Sequence, residues 1–190
     1  MTVPVTSVLF TSVAEWDEWL AAHAASAAEA WLRIPKKGSS GAGISAAEAG
    51  DVALCHGWID SHRRRLDDSY FLQRYSPRRP GSPWSRVNVL RASALEAAGR
   101  MRPGGRAEMA AARADGRWSS AYEPQRTAST PPDLVEALAA NSAAGASYAS
   151  LTRSEQYALF LPLLKARTPA SRSRALTRAL SALPPAPHHA

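Results

Sequence analysis

The chain has 190 residues, a formal net charge of +7 and a hydrophobic fraction of 45%. This length suits one ordinary domain, or one domain with a small appended lobe, that buries most of its apolar surface without disulfide bonds. The single cysteine, Cys55, excludes an intramolecular disulfide and an all-cysteine metal site. No basic residue precedes the first apolar residues, and no apolar run is long enough to span a bilayer. We therefore expect a cytoplasmic protein without a secretion signal or a membrane span.

The positive charge is concentrated in two segments. Residues 61–130 hold 14 basic and 6 acidic side chains, a net charge of +8, and residues 151–190 hold 6 and 1, a net charge of +5. Residues 1–60 hold 3 basic and 7 acidic side chains and are net negative. Arginine supplies 20 of the 23 basic residues, which is typical of a codon-driven composition bias. A solvated basic surface is therefore favoured over a dedicated polyanion site, and nucleic acid is expected to bind only weakly and non-specifically.

Capping signals predict two helices in the first third of the chain. Ser12 with Glu15 forms a capping box, and the apolar residues that follow recur on one helical face. Ser45 with Glu48 forms a second capping box, whose helix ends at Gly57.

Three strands are predicted around these helices. Residues 30–34 form a short apolar strand, and the lysine- and glycine-containing residues 35–41 form a mobile loop. Residues 58–66 and 69–75 alternate in part between apolar and polar side chains on either side of Asp67 and Asp68. This pattern predicts an antiparallel hairpin.

Proline and glycine divide the second half of the chain. Residues 76–83 contain three prolines and a glycine, so they form an irregular surface loop. A helical pair is predicted at residues 84–100 and 103–115, followed by a linker at residues 123–132 that is rich in Pro, Ser and Thr. The predicted domains are an α+β core, residues 1–123, and a C-terminal helical lobe packed on that core, residues 124–190.

The C-terminal lobe contains three predicted helices. The first covers residues 132–140, and the second follows a capping box of Thr152 and Glu155 and can kink at Pro162. A last, basic amphipathic helix runs from residue 168 to about residue 183, and a frayed end follows it. The predicted fold class is therefore α+β, with a small antiparallel sheet or hairpin braced by helices and a C-terminal helical lobe.

The densest group of reactive side chains lies at residues 55–62. His56 ends a helix while His62 lies on the following strand, so their spacing does not form a metal motif and we expect no metal site. Asp60, on a strand expected to be half-buried, needs a cation or several hydrogen-bond donors. We predict that Arg78, from the proline-rich loop, supplies this partner, either to hold the loop or to build a functional site.

Polar side chains also occupy the first turn of the helix after the loop. Ser85 and Asn88 lie where free backbone N–H groups attract anions, although both can equally cap the helix. The chain has no Gly-x-Ser-x-Gly elbow and no glycine-rich phosphate loop, so neither a serine nucleophile nor a cofactor is expected. Cys55 lies on an apolar helical face, which favours inert packing over nucleophilic chemistry.

Several motifs, taken in order, resemble one bacterial family. They are Trp19-Leu20, His23, Trp31, Ala53-Leu54-Cys55, Gly57-Trp58-Ile59-Asp60-Ser61, Ser76-Pro77-Arg78, residues 82–88, Gly99, Met101 and Asp115-Gly116-Arg117-Trp118. In combination they resemble the YdeI/OmpD-associated, bacteriocin-protection family over most of residues 9–180. The resemblance implies a role in tolerance of bacteriocins and cationic antimicrobial peptides and in envelope stress, with no agreed catalytic mechanism.

Three functions remain open at this point. The first is a protection module that binds a small anionic or aromatic ligand in a pocket lined by Trp, Arg and Asp side chains. The second is a cofactor-independent enzyme of a specialised pathway, with Asp60 as acid or base. The third is non-specific binding of nucleic acid through residues 63–79 and the last helix. The predicted ligand-binding residues are Trp58, Asp60, Arg78, Trp84, Ser85, Asn88 and Trp118. The oligomeric state is not indicated.

Overall fold

The computed structural model describes residues 6–184. Of the frayed end predicted at residues 184–190, all but Pro184 lies outside this range. The helices and strands are, in order, α1 (Val13–His23), β1 (Ala30–Pro35), α2 (Ala46–Cys55), β2 (Trp58–Arg65), β3 (Tyr70–Pro77), α3 (Arg86–Ala97), α4 (Pro103–Ala114), α5 (Pro132–Ala139), α6 (Ser142–Ser150), α7 (Arg153–Lys165) and α8 (Pro169–Ser181). The predicted fold class is confirmed, because a three-stranded antiparallel sheet with helices is followed by an all-helical region.

The chain divides into two compact units. Within the described residues, the first consists of residues 6–84 and 88–120, and the second of residues 85–87 and 121–184. None of the helices within residues 6–184 combines the length and the hydrophobicity that crossing a bilayer requires.

The sheet of the first unit has the strand order β1-β3-β2, and both pairings are antiparallel. The predicted hairpin is formed by β2 and β3, with Asp60 opposite Tyr75 and Arg63 opposite Gln73. The register shifts between Asp60 and Arg63, as at a β-bulge. β1 and β2 are both edge strands, but most side chains of β1 are buried whereas most side chains of β2 are exposed.

One face of the sheet and two helices form the core of the first unit. Leu32 and Ile34 of β1 pack in one cluster with Trp16 of α1 and Val52 of α2. The indole of Trp16 is fully buried, and its Nε1 donates a hydrogen bond to the carbonyl of Ala49 (3.1 Å). This bond satisfies the polar atom that burial of a tryptophan brings into the core.

Side-chain caps fix the starts of the first two helices. The Ser12 hydroxyl accepts a hydrogen bond from the Glu15 backbone N–H (3.2 Å), but the Glu15 carboxylate bonds to Thr11, so only half of the predicted capping box is present. Both halves are present at α2, where Ser45 and Glu48 exchange backbone and side-chain hydrogen bonds. The second capping box is thus confirmed.

The end of α2 and the start of α4 approach each other very closely. A β-carbon added to Gly104 would lie 2.7 Å from the carbonyl oxygen of His56, and one added to Gly105 would overlap the carbonyl oxygen of Cys55. Gly57 follows with a φ of +81°, which favours glycine. Small residues at these positions therefore permit the contact that places His56 beside α4.

The second unit has a core of its own. Leu134, Phe160 and Leu163 are fully buried in it. The predicted capping box of Thr152 and Glu155 is complete at the start of α7, and this helix continues through a proline to its end. A helix that the sequence analysis did not predict, α6, lies between α5 and α7.

Candidate functional site

Trp58, the first of the predicted ligand-binding residues, belongs to the core. Its side chain is 1% exposed and lies edge-on to Trp19 at a centroid distance of 6.1 Å. The indole Nε1 donates a hydrogen bond to the carbonyl of Ala24 (3.4 Å). These contacts make Trp58 a packing residue that holds β2 against α1.

Three of the predicted residues do come together beyond β3. The guanidinium carbon of Arg78 lies 3.7 Å from the ring centroid of Trp84, and the rings of Trp84 and Trp118 lie 4.9 Å apart. Arg78 is 6% exposed and also donates a hydrogen bond to the carbonyl of Pro83 (3.5 Å). A cation stacked on an aromatic face at this distance is attracted by the ring quadrupole. The arrangement holds the proline-rich loop in a compact form.

Arg117 provides a second support for the same loop. It is buried, donates a bifurcated hydrogen bond from Nε to both oxygens of the Asp115 carboxylate (2.7 and 2.9 Å), and donates one from Nη1 to the carbonyl of Ser82 (3.1 Å). This residue was not predicted as part of the site, although it belongs to the Asp115-Gly116-Arg117-Trp118 motif.

Asp60 occupies a different environment from Arg78. It is exposed on β2, whereas Arg78 is buried against Trp84 beyond the end of β3. The ion pair predicted between these two residues is not observed within residues 6–184, and the strand position of Asp60 is not half-buried. The physical reason is the exposure of Asp60, whose carboxylate remains hydrated and does not need a buried cation.

Asp60 instead lines a polar groove of about 230 Å³ between α2, β2 and α3. The residues that line this groove, called the polar groove below, are Ala46, Ala47, Gly50, Leu54, Ile59, Asp60, Arg63, Asn88 and Arg91. Asp60 and Asn88, both predicted as ligand-binding residues, are therefore brought together. The two arginines were not predicted as part of the site.

Both arginines of the polar groove are held in place by other residues. Arg63 donates a hydrogen bond from Nε to Gln73 (3.1 Å), and its guanidinium carbon lies 4.1 Å from the ring centroid of Phe71. Arg91 forms an ion pair with Asp51 and donates a hydrogen bond to the carbonyl of Ala47. Their side chains are thus oriented by the protein before any ligand is present.

The charge of Asp60 also acts on the buried side of the sheet. Burial, followed by the negative charge of Asp60, raises the pKa of the Tyr75 hydroxyl far above its usual range. Tyr75 is 1% exposed and packs against Trp16. It therefore stays protonated at physiological pH and does not act as a base.

A third group of polar residues lies at the end of α2. His56 Nε2 donates a hydrogen bond to the Asp17 carboxylate (2.7 Å), and Arg102 forms an ion pair with the same carboxylate. Burial alone would raise the pKa of Asp17, but the hydrogen bonds and charges of Arg102 and His56 together hold that pKa below its ordinary value. The three residues are far apart in sequence, so no local pattern indicated this cluster.

Grooves flank the Asp17 cluster on two sides. One, of about 510 Å³, is lined in part by Cys55 and Arg100, and the other, of about 500 Å³, by Leu20 and Gly104. Burial raises the pKa of the Cys55 thiol, so this side chain is not an activated nucleophile. Within the described part of the chain, no three His, Cys, Asp or Glu side chains are grouped closely enough to hold a metal ion.

Ser85, the last predicted residue, belongs to the second unit. It forms an isolated parallel bridge with Tyr122, and the neighbouring Arg86 backbone N–H donates to the carbonyl of Tyr122 (2.8 Å). Asn88, three residues later, belongs to the first unit. Ser85 and Asn88, predicted together as an anion site, are therefore assigned to different units.

The protein is therefore of the α+β class. Its first unit carries the polar groove, and its second unit is all-helical. Residues 8–108 match the model of a family described as a domain of unknown function, DUF8412, and residues 127–184 match the model described as Bacteriocin-protection, YdeI or OmpD-Associated. Because the first match covers more than half of the 190 residues, the chain belongs to the DUF8412 family, and it carries a YdeI/OmpD-associated domain at its C-terminal end.

The predicted resemblance to the bacteriocin-protection family is thus confirmed for residues 127–184. The motifs that suggested it lie between Trp19 and Trp118, and most of them fall in the segment that the DUF8412 model matches. No curated protein and no solved structure shows a significant match to the chain.

Proposed function

We propose that the chain is a protection protein that acts as a binding module, and that its first unit holds a small anionic ligand in the polar groove. The observation that carries the proposal is the pair Arg63 and Arg91. Each guanidinium is fixed by its own partner, and both line the same groove as Asp60 and Asn88. Side chains that are ordered in advance lose little entropy on binding, which favours recognition of an anion.

The size and lining of the polar groove narrow the class of ligand. Its volume of about 230 Å³ lies below the range of drug-sized sites, so a ligand of few atoms fits best. The Asp60 carboxylate accepts hydrogen bonds only, and therefore favours a hydroxyl or ammonium group on the same ligand. We infer a ligand with a carboxylate or phosphate at one end and a donor group at the other, such as an amino acid, a hydroxy acid or a small phosphate ester.

The overall charge of the chain favours protection through a bound small ligand over direct capture of cationic peptides. A chain with a net charge of +7 repels cationic antimicrobial peptides at long range. Binding a small anion involves no such repulsion. In this proposal the protective role that the name of the C-terminal family model states depends on a ligand, and the peptide itself is not sequestered.

Calorimetric titration tests the proposal with L-serine, glycerate and glycerol phosphate as probes. We expect at least one probe to bind, and we expect Arg63→Gln to weaken its binding roughly tenfold or more, because a charge-assisted hydrogen bond is lost. Asp60→Asn should weaken binding most for the probes that carry an ammonium group. The matched control is Arg65→Gln, which removes the same charge from β2 outside the groove and should leave binding unchanged. Equal effects of Arg63→Gln and Arg65→Gln would refute the proposal.

A cofactor-independent enzyme is the second candidate, and the Asp17–His56 pair favours it. A histidine whose side chain is 7% exposed and bonded to a carboxylate is a common arrangement for a general base. The adjoining grooves of about 500 Å³ have room for a substrate. Turnover that is lost in His56→Gln and retained in Arg63→Gln would favour this candidate over the binding module.

A further inference from the structure

The second unit contains a groove of about 500 Å³ between α7 and α8. The residues that line it, called the cationic groove below, are Ala158, Leu161, Pro162, Lys165, Ala166, Ser171, Arg174, Ala175 and Arg178. Three of the nine are basic, none is acidic, and most of the others are apolar. The groove therefore differs from the polar groove of the first unit in both place and chemistry.

The sequence of each helix explains how the groove forms. On α7 the lining residues 158, 161, 162 and 165, and on α8 the residues 171, 174, 175 and 178, follow the spacing that places side chains on one helical face. A short connection, residues 166–168, brings these two faces together. The groove thus follows from the pairing of two helices whose faces repeat the same spacing.

The charges in the cationic groove are not compensated within the part of the chain that the structure describes. No ion pair joins Lys165, Arg174 or Arg178 to a carboxylate there. By contrast, Arg172 of the same helix α8 donates two hydrogen bonds to Asp133 of α5, at 2.7 and 2.8 Å. The second unit therefore neutralises Arg172, which lies outside the groove, and leaves the basic side chains inside it available to a ligand.

Lys165 adds a partly desolvated cation to the same surface. Its ammonium nitrogen lies 5.0 Å from the ring centroid of Tyr122, and burial lowers the pKa of its amino group. Removal of water from one side of a cation strengthens its attraction to an anion that approaches from the open side. Leu161 and Pro162, one turn earlier on the same face of α7, continue the groove as apolar surface.

We propose that the cationic groove binds a single-chain anionic amphiphile, an alkyl chain that ends in a phosphate, sulfate or carboxylate. The head group pairs with Arg174, Arg178 and Lys165, and the chain lies on Ala158, Leu161 and Pro162. Charge complementarity selects the head group, and the apolar part of the lining selects the tail. This site is independent of the ligand proposed for the first unit, because all of its residues belong to the second unit.

Titration of the full chain with decyl phosphate, kept below its micelle concentration, tests the proposal. We expect binding, and we expect the double variant Arg174→Gln/Arg178→Gln to weaken it roughly tenfold or more, because charge-assisted hydrogen bonds are lost. Both arginines are exposed, so the fold should survive, which the far-ultraviolet circular dichroism spectrum checks. Arg126→Gln removes an exposed charge from the same unit outside the groove and should leave binding unchanged.

Two further probes and one further variant separate the parts of the proposal. Inorganic phosphate should bind at least tenfold more weakly than decyl phosphate, since it lacks the apolar contact. Decyl maltoside should also bind more weakly, since it lacks the charge. Ala158→Glu places a carboxylate in the groove. It should weaken the binding of decyl phosphate but not the binding of decyl maltoside. Equal affinity for decyl phosphate and decyl maltoside would overturn the proposal. The proposal would also be overturned if the protein bound only to anionic vesicles and if Arg126→Gln and the double variant weakened that binding equally.

Discussion

Asp17 is one of the carboxylates through which pH acts on the first unit. It accepts a hydrogen bond from His56 and pairs with Arg102, and these partners hold its pKa below the ordinary value of 3.8. Replacing it with asparagine leaves two donors beside a group that no longer carries charge. We expect Asp17→Asn to lower the free energy of unfolding at pH 7 by about 1–3 kcal/mol.

The pH dependence of this effect follows from the direction of the pKa shift. A carboxylate whose folded pKa is depressed contributes stability above its unfolded pKa, and this contribution is lost as pH falls through the folded pKa. Urea denaturation at pH 7 and at pH 3 should therefore show a smaller difference between wild type and Asp17→Asn at the lower pH. Glu18→Gln, at the next and exposed position of α1, serves as the control and should change little. A difference that grows on acidification would contradict the assignment.

Local chemistry allowed some of the site to be predicted residue by residue. Arg78, Trp84 and Trp118 were predicted as part of one site and do meet, because a short proline-rich loop joins the first two. The pairing predicted between Asp60 and Arg78 is not observed within the described residues, because Asp60 is exposed on β2 while Arg78 is buried against Trp84. Asp17 was not predicted as a site residue, because only the folded structure brings it close to His56.

At the scale of elements, helices with side-chain caps were the easiest to predict. The capping signals lie within four residues of each other, so tertiary structure is not needed to recognise them. Helix α6 has a cap at Asn141, but only Ser147 is buried in it. Apart from Tyr148 its sequence consists of Ser, Ala and Gly, so it has no apolar period. The strand order β1-β3-β2 could not be predicted from the sequence either, because long-range packing determines that β1 pairs with β3.

The contact between α2 and α4 depends on the absence of side chains. A β-carbon at Gly105 would overlap the Cys55 carbonyl and lie 2.7 Å from the Met101 methyl group. We expect Gly105→Ala to lower the free energy of unfolding by about 1–3 kcal/mol, as overpacked cores do, and thermal denaturation measures the change. Gly50→Ala provides the matched control within α2, because the nearest atom to its added β-carbon is 3.9 Å away.

The control variant has an expected direction of its own. Alanine favours a helix over glycine by about 0.5–1 kcal/mol, so Gly50→Ala should be neutral or stabilising. Destabilisation of both variants to the same extent would show that the close backbone approach at Gly105 carries no special cost. The position of His56 beside α4 would then need a cause other than the small residues of α4.

At the scale of the whole molecule, the two units correspond to two family models. The DUF8412 match lies within residues 8–108 and the YdeI/OmpD-associated match within residues 127–184. The predicted boundary after residue 123 stays a prediction, because residues 85–87 group with the second unit through the pairing of Arg86 with Tyr122. The linker could be predicted from its composition. The grouping of residues 85–87 with the second unit could not, because it depends on a contact between residues 36 positions apart in the sequence.

The basic excess of the molecule is a separate matter from its grooves. Arg64 stacks on Trp31, with 4.8 Å between its guanidinium carbon and the ring centroid, and Arg74 forms an ion pair with Glu29 (2.6 Å). Several of the basic side chains on the sheet thus already have protein partners. Charge that is already partnered within the protein is less available to phosphates, so we expect only weak, salt-sensitive binding to duplex DNA.

Fluorescence anisotropy with a duplex of arbitrary sequence tests this expectation across a range of salt concentrations. Affinity should fall steeply as salt rises, because each phosphate contact releases counterions with a slope of about −0.9 per contact. Replacing Arg64 and Arg65 with glutamine should reduce the slope by up to about two contacts without a change of fold, since both side chains are exposed. Asp60→Asn should leave the slope unchanged. If binding proved sequence-specific and tolerant of salt, and survived loss of both arginines, nucleic acid would replace the small anion as the principal partner.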